Sequence, residues 1–351
     1  MTVTIAGSGL AELTCAWLLA SRGHRVRLRP RRPSYGPRPL LLGDDTLALL
    51  RSLWGVASPA DGHRLTHRHV RWAPGPPDPP LAHPAVVLDG ALLCRRLLDR
   101  LCAHHPDTAR PEREPAEPDP EPDPDPDPEP EPDPAGPPHW TVTAEPPTGH
   151  PGEHWTAGRR HLLAGEAPLA PGQDATTARL DRTDLAWLHL TPLGNGRALL
   201  QAMVPGPVAR PAELLGRLLA TSELAPRLSH PPETAVALPA APRLHLLPAT
   251  APSTCTPGTL LVGAGAIRYD PLSGTGTAQA LRTAILAAAL IGSAAAATPP
   301  DLLCAYYAAR LRTAFQEHLA TCARLYPQAF PAPSWQDELT ACGWPGAPFT
   351  Q

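Results

Sequence analysis

Lysine is absent from the 351-residue chain, and the 30 residues counted as Lys or Arg are all arginine. This absence excludes mechanisms that need a lysine Schiff base or another lysine-bound reactive intermediate. Aromatic residues are few, at 5%, but 42% of the residues are hydrophobic. A chain of this length and composition can bury a core, in one large domain or in two closely joined ones.

Cysteine spacings typical of zinc sites or disulfide frameworks are also missing. The seven cysteines are scattered, and none of them forms a Cys-x-x-Cys motif. An odd number without such spacing favours a reducing compartment and no metal site. The first residues do not have the pattern of a secretory signal, and the Ala-rich residues 283–297 are too short and too weakly apolar to span a bilayer. We therefore expect a cytoplasmic protein whose partners are neither membranes nor nucleic acids.

Negative charge is concentrated in one segment. Residues 111–138 alternate proline with Asp or Glu, a pattern that predicts an extended polyproline-II linker or a disordered loop. The segment is either a docking segment for a basic partner or an expanded low-complexity loop, which we favour. Outside residues 112–133, 29 arginines face 22 acidic residues, a net charge of about +7. This charge suits an anionic cofactor or partner, or reflects an arginine surplus on the surface.

A strand–helix–strand unit opens the chain. Residues 2–7 predict a strand, residues 10–22 a helix and residues 24–29 a second strand, which is the order of a βαβ unit. Between the first strand and the helix, Gly7 allows a tight turn and Gly9 lets the backbone approach a pyrophosphate. This motif alone predicts a dinucleotide site without identifying the dinucleotide.

Two positions depart from the dinucleotide fingerprint. The third small residue is replaced by Glu12, which adds bulk and a negative charge near the phosphates. The acid that is expected about 20 residues further on, at the ribose hydroxyls, is replaced by Arg29. A cation there favours a 2′-phosphate, so a soluble NADP-binding protein is one alternative.

A second glycine-rich segment follows about 255 residues after the first, with the sequence LLVGAGAIRYDPLSGTG over residues 260–276. A predicted strand over residues 259–262 leads into it, and a predicted helix over residues 276–291 follows. The segment resembles the second FAD-binding segment of hydroxylase-type flavoprotein monooxygenases and flavin-dependent halogenases. Its residue sequence also resembles that of small flavoproteins that modify tryptophan residues during quinone-cofactor maturation.

The resemblance implies roles for residues of both segments. It makes Pro271 the cover of one flavin face, and it brings backbone N–H groups of Gly274 and Gly276 to the pyrimidine edge of the ring. Arg268 either lines the flavin pocket, where it is a candidate catalytic residue, or makes a packing contact. The implied cofactor-binding residues are Gly7, Gly9, Glu12, Arg29, Gly263, Ala264, Asp270, Pro271, Gly274 and Gly276.

Five positions depart from the pattern of that superfamily. Ala264 replaces the Asp at the ribityl chain, Gly90 the Arg that reaches the flavin, and Ala164 the acid of an Asp-Gly motif; Glu12 and Arg29 are the other two. Each lost charge-assisted hydrogen bond weakens cofactor binding by about 1.5–3 kcal/mol. Halogenase activity is disfavoured, because it needs an active-site lysine.

One histidine lies on the predicted substrate sheet. Residues 186–193 and 197–204 predict a β-hairpin around a glycine turn, and His189 lies on its first strand. A flavin hydroxylase needs little acid–base machinery from the protein, because the flavin delivers the oxygen. His189 is therefore either a catalytic residue that orients or deprotonates a phenol or indole, or a hydrogen-bonded strand histidine.

The segments combine into one α/β prediction. We expect a Rossmann-like FAD-binding domain, an interleaved antiparallel-sheet substrate domain and C-terminal helices. The predicted parts are residues 1–104 for the first FAD-binding part with a substrate-domain insertion near 60–85, residues 105–138 for the linker, residues 139–170 for the second FAD-binding part, residues 171–257 for the substrate domain and residues 258–351 for the third FAD-binding part with the C-terminal helices.

The predicted function is that of an FAD-dependent oxidoreductase, a monooxygenase that hydroxylates an aromatic or indolic substrate. NAD(P)H is the expected reductant, and the substrate is an aromatic small molecule or a Trp-bearing protein or peptide. The alternative is a degenerate flavoprotein that acts as a binding or assembly partner without redox turnover.

Overall fold

The computed structural model describes residues 1–29, 39–55, 62–72, 79–107, 109–111, 139–145, 153–246, 258–330 and 333–341. Its strands are β1 (Thr2–Ala6), β2 (Arg25–Arg29), β3 (Pro39–Gly43), β4 (His63–Arg71), β5 (Leu81–Asp89), β6 (Ala109–Pro111), β7 (Trp140–Thr143), β8 (Glu153–Thr156), β9 (His161–Pro168), β10 (Thr177–Arg182), β11 (Trp187–Pro192), β12 (Arg197–Val204), β13 (Val236–Pro239), β14 (Arg243–Leu246), β15 (Thr259–Leu261) and β16 (Ile267–Arg268). Its α-helices are α1 (Leu10–Ala20), α2 (Asp44–Trp54), α3 (Gly90–His104), α4 (Pro211–Ala220), α5 (Gly263–Ala266), α6 (Gly276–Ala295), α7 (Pro300–Ala329) and α8 (Pro333–Ala341).

A parallel five-stranded sheet carries both glycine segments. Its order is β15-β7-β1-β2-β6, and every neighbouring pair is parallel. Val3 and Ile5 of β1 are fully buried, as expected for a central strand that is covered on both faces. The predicted βαβ start is confirmed, and β1 and β15, which precede the two glycine segments, are separated in the sheet only by β7.

The second large sheet is mixed and has eight strands in the order β13-β9-β12-β11-β10-β4-β5-β3. The predicted hairpin is confirmed as β11 and β12, with Trp187 opposite Met203. Successive side chains of a strand point to opposite faces, so Leu188 and Leu190 pack toward α4. Trp187 and His189 point to the other face, where a cavity lies.

Helix α6 is the central helix of the fold. Its length and mean hydropathy of 1.4 would suffice for a membrane span, yet half of it is buried inside the protein, and it packs against α1. Ala284, Ala287 and Ala288 are fully buried. Small side chains let α6 approach its neighbours closely, so the Ala-rich stretch is a core helix.

Some strands lie outside the predicted pattern. Residues 109–111, within the predicted linker, form β6 and pair with β2. Residues 112–138, which make up most of that linker, lie outside the described residues. Ala164, aligned by resemblance with an Asp-Gly motif of the FAD-binding domain, lies in β9 of the mixed sheet opposite Gln201. A third sheet, β16-β14-β8, is antiparallel.

A matched pair of glycines tests the close packing at the second glycine segment. A methyl group at Gly265 would overlap the carbonyl group of Ala144, whereas one at Gly292 in α6 would meet no heavy atom within 4 Å. We expect Gly265→Ala to lower the free energy of unfolding by about 1–3 kcal/mol, because backbone has to move. Gly292→Ala should raise it by about 0.5–1 kcal/mol, because alanine favours the helix. Chemical denaturation measures both, and equal effects at the two positions would contradict the packing.

Candidate functional site

The first glycine segment forms a tight turn at the carboxyl edge of the parallel sheet. Gly7 has a positive φ of 142°, and its N–H donates to the carbonyl oxygen of Arg29 at 3.0 Å. Gly9 is the N-cap of α1 in extended conformation and supplies no capping side chain. The first N–H groups of α1 therefore lie at this turn, where a helix binds anions. Arg29 ends β2 directly beside the turn, with an exposed side chain.

The Glu12 side chain folds over this turn. Its Oε1 accepts a hydrogen bond from the N–H of Ala144 at 3.0 Å. A Cβ at Gly9 would lie 2.7 Å from Glu12 Oε2, and one at Gly7 would collide with Oε1. Only 5% of Glu12 is exposed. Burial raises the pKa of its carboxyl group, while hydrogen bonds from its own backbone N–H and that of Ala144 lower it. The carboxyl group thus lies at the turn where the sequence predicts pyrophosphate binding.

The second glycine segment packs directly against the first. A Cβ at Gly263 would lie 3.0 Å from Cβ of Ala11, so the end of β15 touches the first turn of α1. The N–H of Gly263 donates to Oγ1 of Thr283 at 2.9 Å, which ties the segment to α6. Ala264 is exposed, and its carbonyl oxygen accepts from Arg243 at 3.2 Å. The structure therefore brings together the segments that the sequence separates.

A loop from Asp270 to Thr275 connects this segment to α6. Asp270 caps a 3₁₀ turn over Pro271–Ser273 and accepts from the N–H of Leu272 at 2.9 Å. Gly274 closes the turn with a positive φ of 62°, and Gly276 begins α6. Pro271 and Gly274 line a cavity, whereas Asp270 is buried behind them.

The cavity has a volume of about 650 Å³ and lies between this loop and the mixed sheet. Four neighbouring strands contribute a row of paired residues to its wall: Val70, Leu180, His189 and Gln201. Arginines and carboxylates also line it; these are Arg68, Arg282, Asp44 and Asp45. The structure therefore places His189 in the same cavity as Pro271 and Gly274, consistent with the predicted substrate sheet.

His189 is held neutral in this wall. Its Nδ1 lies 3.2 Å from Oγ1 of Thr191, and its ring also hydrogen bonds with the side chain of Gln201. Burial, with smaller contributions from the nearby His83 and Arg68, lowers the pKa of His189 to about 4, although the hydrogen bond with Gln201 acts in the opposite direction. A neutral imidazole keeps one acceptor nitrogen, so it can accept a hydrogen bond but cannot supply a positive charge near neutral pH.

Asp270 lies in a buried polar network that sequence reasoning did not find. Its Oδ2 pairs with Nε of Arg160 at 2.9 Å and accepts from the hydroxyl of Tyr326 at 2.9 Å. That hydroxyl accepts from Nε1 of Trp187 at 3.1 Å, which connects the loop to the cavity wall. The N–H of Asp270 donates to Nε2 of His318 at 2.8 Å. Asp270 therefore positions the loop, both by capping the 3₁₀ turn and through this network.

Arg268 lies away from the cavity. Its guanidinium group donates to the carbonyl oxygen of Ala241 at 3.1 and 3.2 Å. It pairs with Arg243 across β16 and β14, and it is not among the described residues that line the cavity. Of the two predicted catalytic residues, the structure thus brings His189 to the loop and gives Arg268 the packing contact that the sequence left as its alternative.

No protein-family model and no curated protein matches the sequence. Solved structures do share the fold. The peptidyl tryptophan dihydroxylase QhpG, described as essential for tryptophylquinone cofactor biogenesis, gives a TM-score of 0.71 at 18% identity over 98% of this chain and 79% of that chain. The chondrochloren halogenase CndH, a myxobacterial FAD-dependent enzyme, gives 0.71 at 16% identity over 97% and 85%.

A further similar structure is PqsL, a probable FAD-dependent monooxygenase from Pseudomonas aeruginosa. It gives a TM-score of 0.64 at 17% identity over 98% of this chain and 99% of that chain. The chain therefore has the fold of FAD-dependent monooxygenases and halogenases, which confirms the predicted fold class. At sequence identities of 16–18%, the structural similarity shows only that the fold is shared.

The buried ion pair at Asp270 gives a testable stability prediction. Arg160 and Asp270 are 0% and 1% exposed, so Asp270→Asn leaves a buried guanidinium group facing an amide. We expect this change to lower the free energy of unfolding by about 3 kcal/mol. Glu166→Gln, which breaks an exposed pair with Arg197 at 3.1 Å, should cost less than about 1 kcal/mol. Urea denaturation of both variants checks the difference, and similar losses would refute the role of the network.

Proposed function

We propose that the protein is an FAD-dependent oxidoreductase of the monooxygenase type that oxygenates an aromatic or indolic substrate. The observation that carries the proposal is the contact between Gly263 and Ala11, which joins two glycine segments at one sheet edge. The loop after the second segment then forms a wall of a 650 Å³ cavity. Ligands of open α/β folds bind at this edge of the sheet.

The backbone around the two segments fits FAD. Gly7, Gly9 and the N-terminus of α1 would hold the pyrophosphate, and Gly274 and Gly276 would face the ring. At Gly7 and Gly9 the crowding atoms belong to the Glu12 side chain and not to backbone. When bound, FAD supplies the redox chemistry: it accepts a hydride from NAD(P)H and activates dioxygen.

The cavity wall suits an aromatic substrate that carries a hydrogen-bond donor. Val70 and Leu180 offer apolar surface, and Trp187 offers an aromatic one. His189, neutral in this environment, would exchange its bond with Thr191 or Gln201 for one with a phenol or an indole N–H and so orient the ring. QhpG is a tryptophan dihydroxylase, and PqsL has been solved in complex with 2-aminobenzoylacetate, so proteins of this fold act on or bind aromatic compounds.

Equilibrium binding followed by turnover tests this function. Quenching of flavin fluorescence should show that the purified protein binds FAD, and NADH or NADPH should then be consumed in proportion to oxygenated product. Phenols, indoles and a Trp-bearing peptide are the substrates to compare, and isotopically labelled dioxygen should deliver its label to the product. A folded protein that binds no FAD in any variant would refute the proposal and favour a role as a non-redox binding partner.

A substitution at His189 tests its part in the proposed reaction. We expect His189→Leu to lower the rate of product formation by about 100-fold, because the substrate loses the acceptor that orients it. FAD binding should not change. Because the pKa of His189 is about 4, its charge should add no limb to the pH–rate profile above about pH 5. His83→Gln, at another histidine of the same cavity, is the control, and equal losses in both variants would contradict a specific role for His189.

A further inference from the structure

The carboxyl group of Glu12 has the hydrogen-bond partners that an anionic ligand would take at this turn. It accepts from the N–H of Ala144 and from its own backbone N–H, at the positive end of α1. Its two oxygens lie against the Cα hydrogens of Gly7 and Gly9. Glycine at these positions usually leaves room for a pyrophosphate. In this chain that room holds a side chain of the protein itself.

We propose that Glu12 is an internal competitor of the cofactor, whose side chain has to leave the turn before FAD binds, so that FAD is held weakly and exchangeably. The inference rests on the proposed function and adds a determinant of cofactor affinity to it. It concerns the ADP half of FAD, because the Glu12 contacts lie at Gly7, Gly9 and Ala144, whereas the cavity for the ring lies at Pro271 and Gly274.

Three effects act in the same direction. The carboxyl group occupies the volume over Gly7 and Gly9, and a ligand has to displace it. It is held there by the N–H of Ala144, a hydrogen bond that has to break when the side chain leaves. When ionised, it would also repel the phosphates. The same carboxyl group stabilises the turn without a ligand, because it accepts from the N–H groups of Ala144 and Glu12.

Substitutions at Glu12 separate these effects from general charge. Glu12→Ala removes the carboxyl group and keeps the helix, and Glu12→Gly restores the small residue of the fingerprint. Glu12→Gln keeps the volume and an acceptor for Ala144 while removing the charge. Glu145→Gln removes a nearby exposed charge outside the turn and serves as the matched control. Each protein is titrated with FAD, ADP and riboflavin, and its thermal unfolding is followed without ligand.

We expect Glu12→Ala and Glu12→Gly to bind FAD and ADP at least about tenfold more tightly than the wild type. Glu12→Gln should gain less, and riboflavin affinity should be the same in all variants. Without ligand, Glu12→Ala should unfold at a lower temperature than the wild type, because Ala144 and α1 lose their acceptor. A tighter nucleotide complex together with a less stable ligand-free protein is the signature of an internal competitor.

Two results would overturn the inference. Equal FAD and ADP affinities in the wild type and Glu12→Ala, or an equal gain in Glu145→Gln, would leave the proposed function standing and remove the competitor. Absence of FAD binding in the wild type and in every variant, with circular dichroism showing folded protein, would refute the proposed function as well. If Glu12→Gly does not fold, Glu12→Ala carries the comparison.

Discussion

The buried pair between Arg160 and Asp270 fixes how the loop from Asp270 to Thr275 meets the mixed eight-stranded sheet. Both side chains are almost completely buried, and such a pair offsets its desolvation cost only when further hydrogen bonds support it. Asp270 meets this condition because its carboxylate also accepts hydrogen bonds from the N–H of Leu272 and the hydroxyl of Tyr326. The loop is therefore attached both to α7 and, through Trp187, to the cavity wall. A change in this pair would move two walls of the cavity together.

Close packing of glycines is the second constraint. Gly265 lets α5 approach the backbone of Ala144 to a distance that no side chain would permit, and Gly263 lets the start of α5 pack closely against Ala11 of α1. This approach brings the ends of β1 and β15 into one site. It also places the Ala144 N–H where Glu12 can reach it. The packing that brings the two glycine segments together thus also permits the contact between Glu12 and Ala144, and under the proposed function the residue at position 12 would set how readily the turn accepts a nucleotide.

The sequence was informative where the signal is local. The βαβ start, the hairpin around Gly194 and each of the two glycine segments are short-range patterns, and the structure contains all of them. The network of Asp270 was not predictable, because Arg160 and Tyr326 reach it from 110 and 56 residues away and no spacing marks them. Strand β9 was not predicted for a similar reason. Its short apolar run was interpreted as an Asp-Gly motif, and only the pairing with β12 shows that it belongs to the mixed sheet. The position of the Glu12 side chain over the turn depends on a contact with Ala144, which is 132 residues away in the sequence.

The charges at the first glycine turn are reversed relative to the dinucleotide fingerprint, and this reversal has consequences for phosphate binding. The fingerprint combines a small residue at the phosphates with an acid at the ribose. Here an acid, Glu12, lies in the turn, and a cation, Arg29, ends the neighbouring strand. With Glu12 in the turn, the site has its own anion. Once Glu12 swings out, a cation remains beside the turn, and a helix N-terminus with unsatisfied N–H groups faces the ligand. Both changes would favour phosphate binding and so offset part of the cost of moving Glu12. In the proposed cofactor site, nucleotide binding and release would then require the rotation of one side chain, whereas the backbone and the buried pair at Asp270 would stay in place.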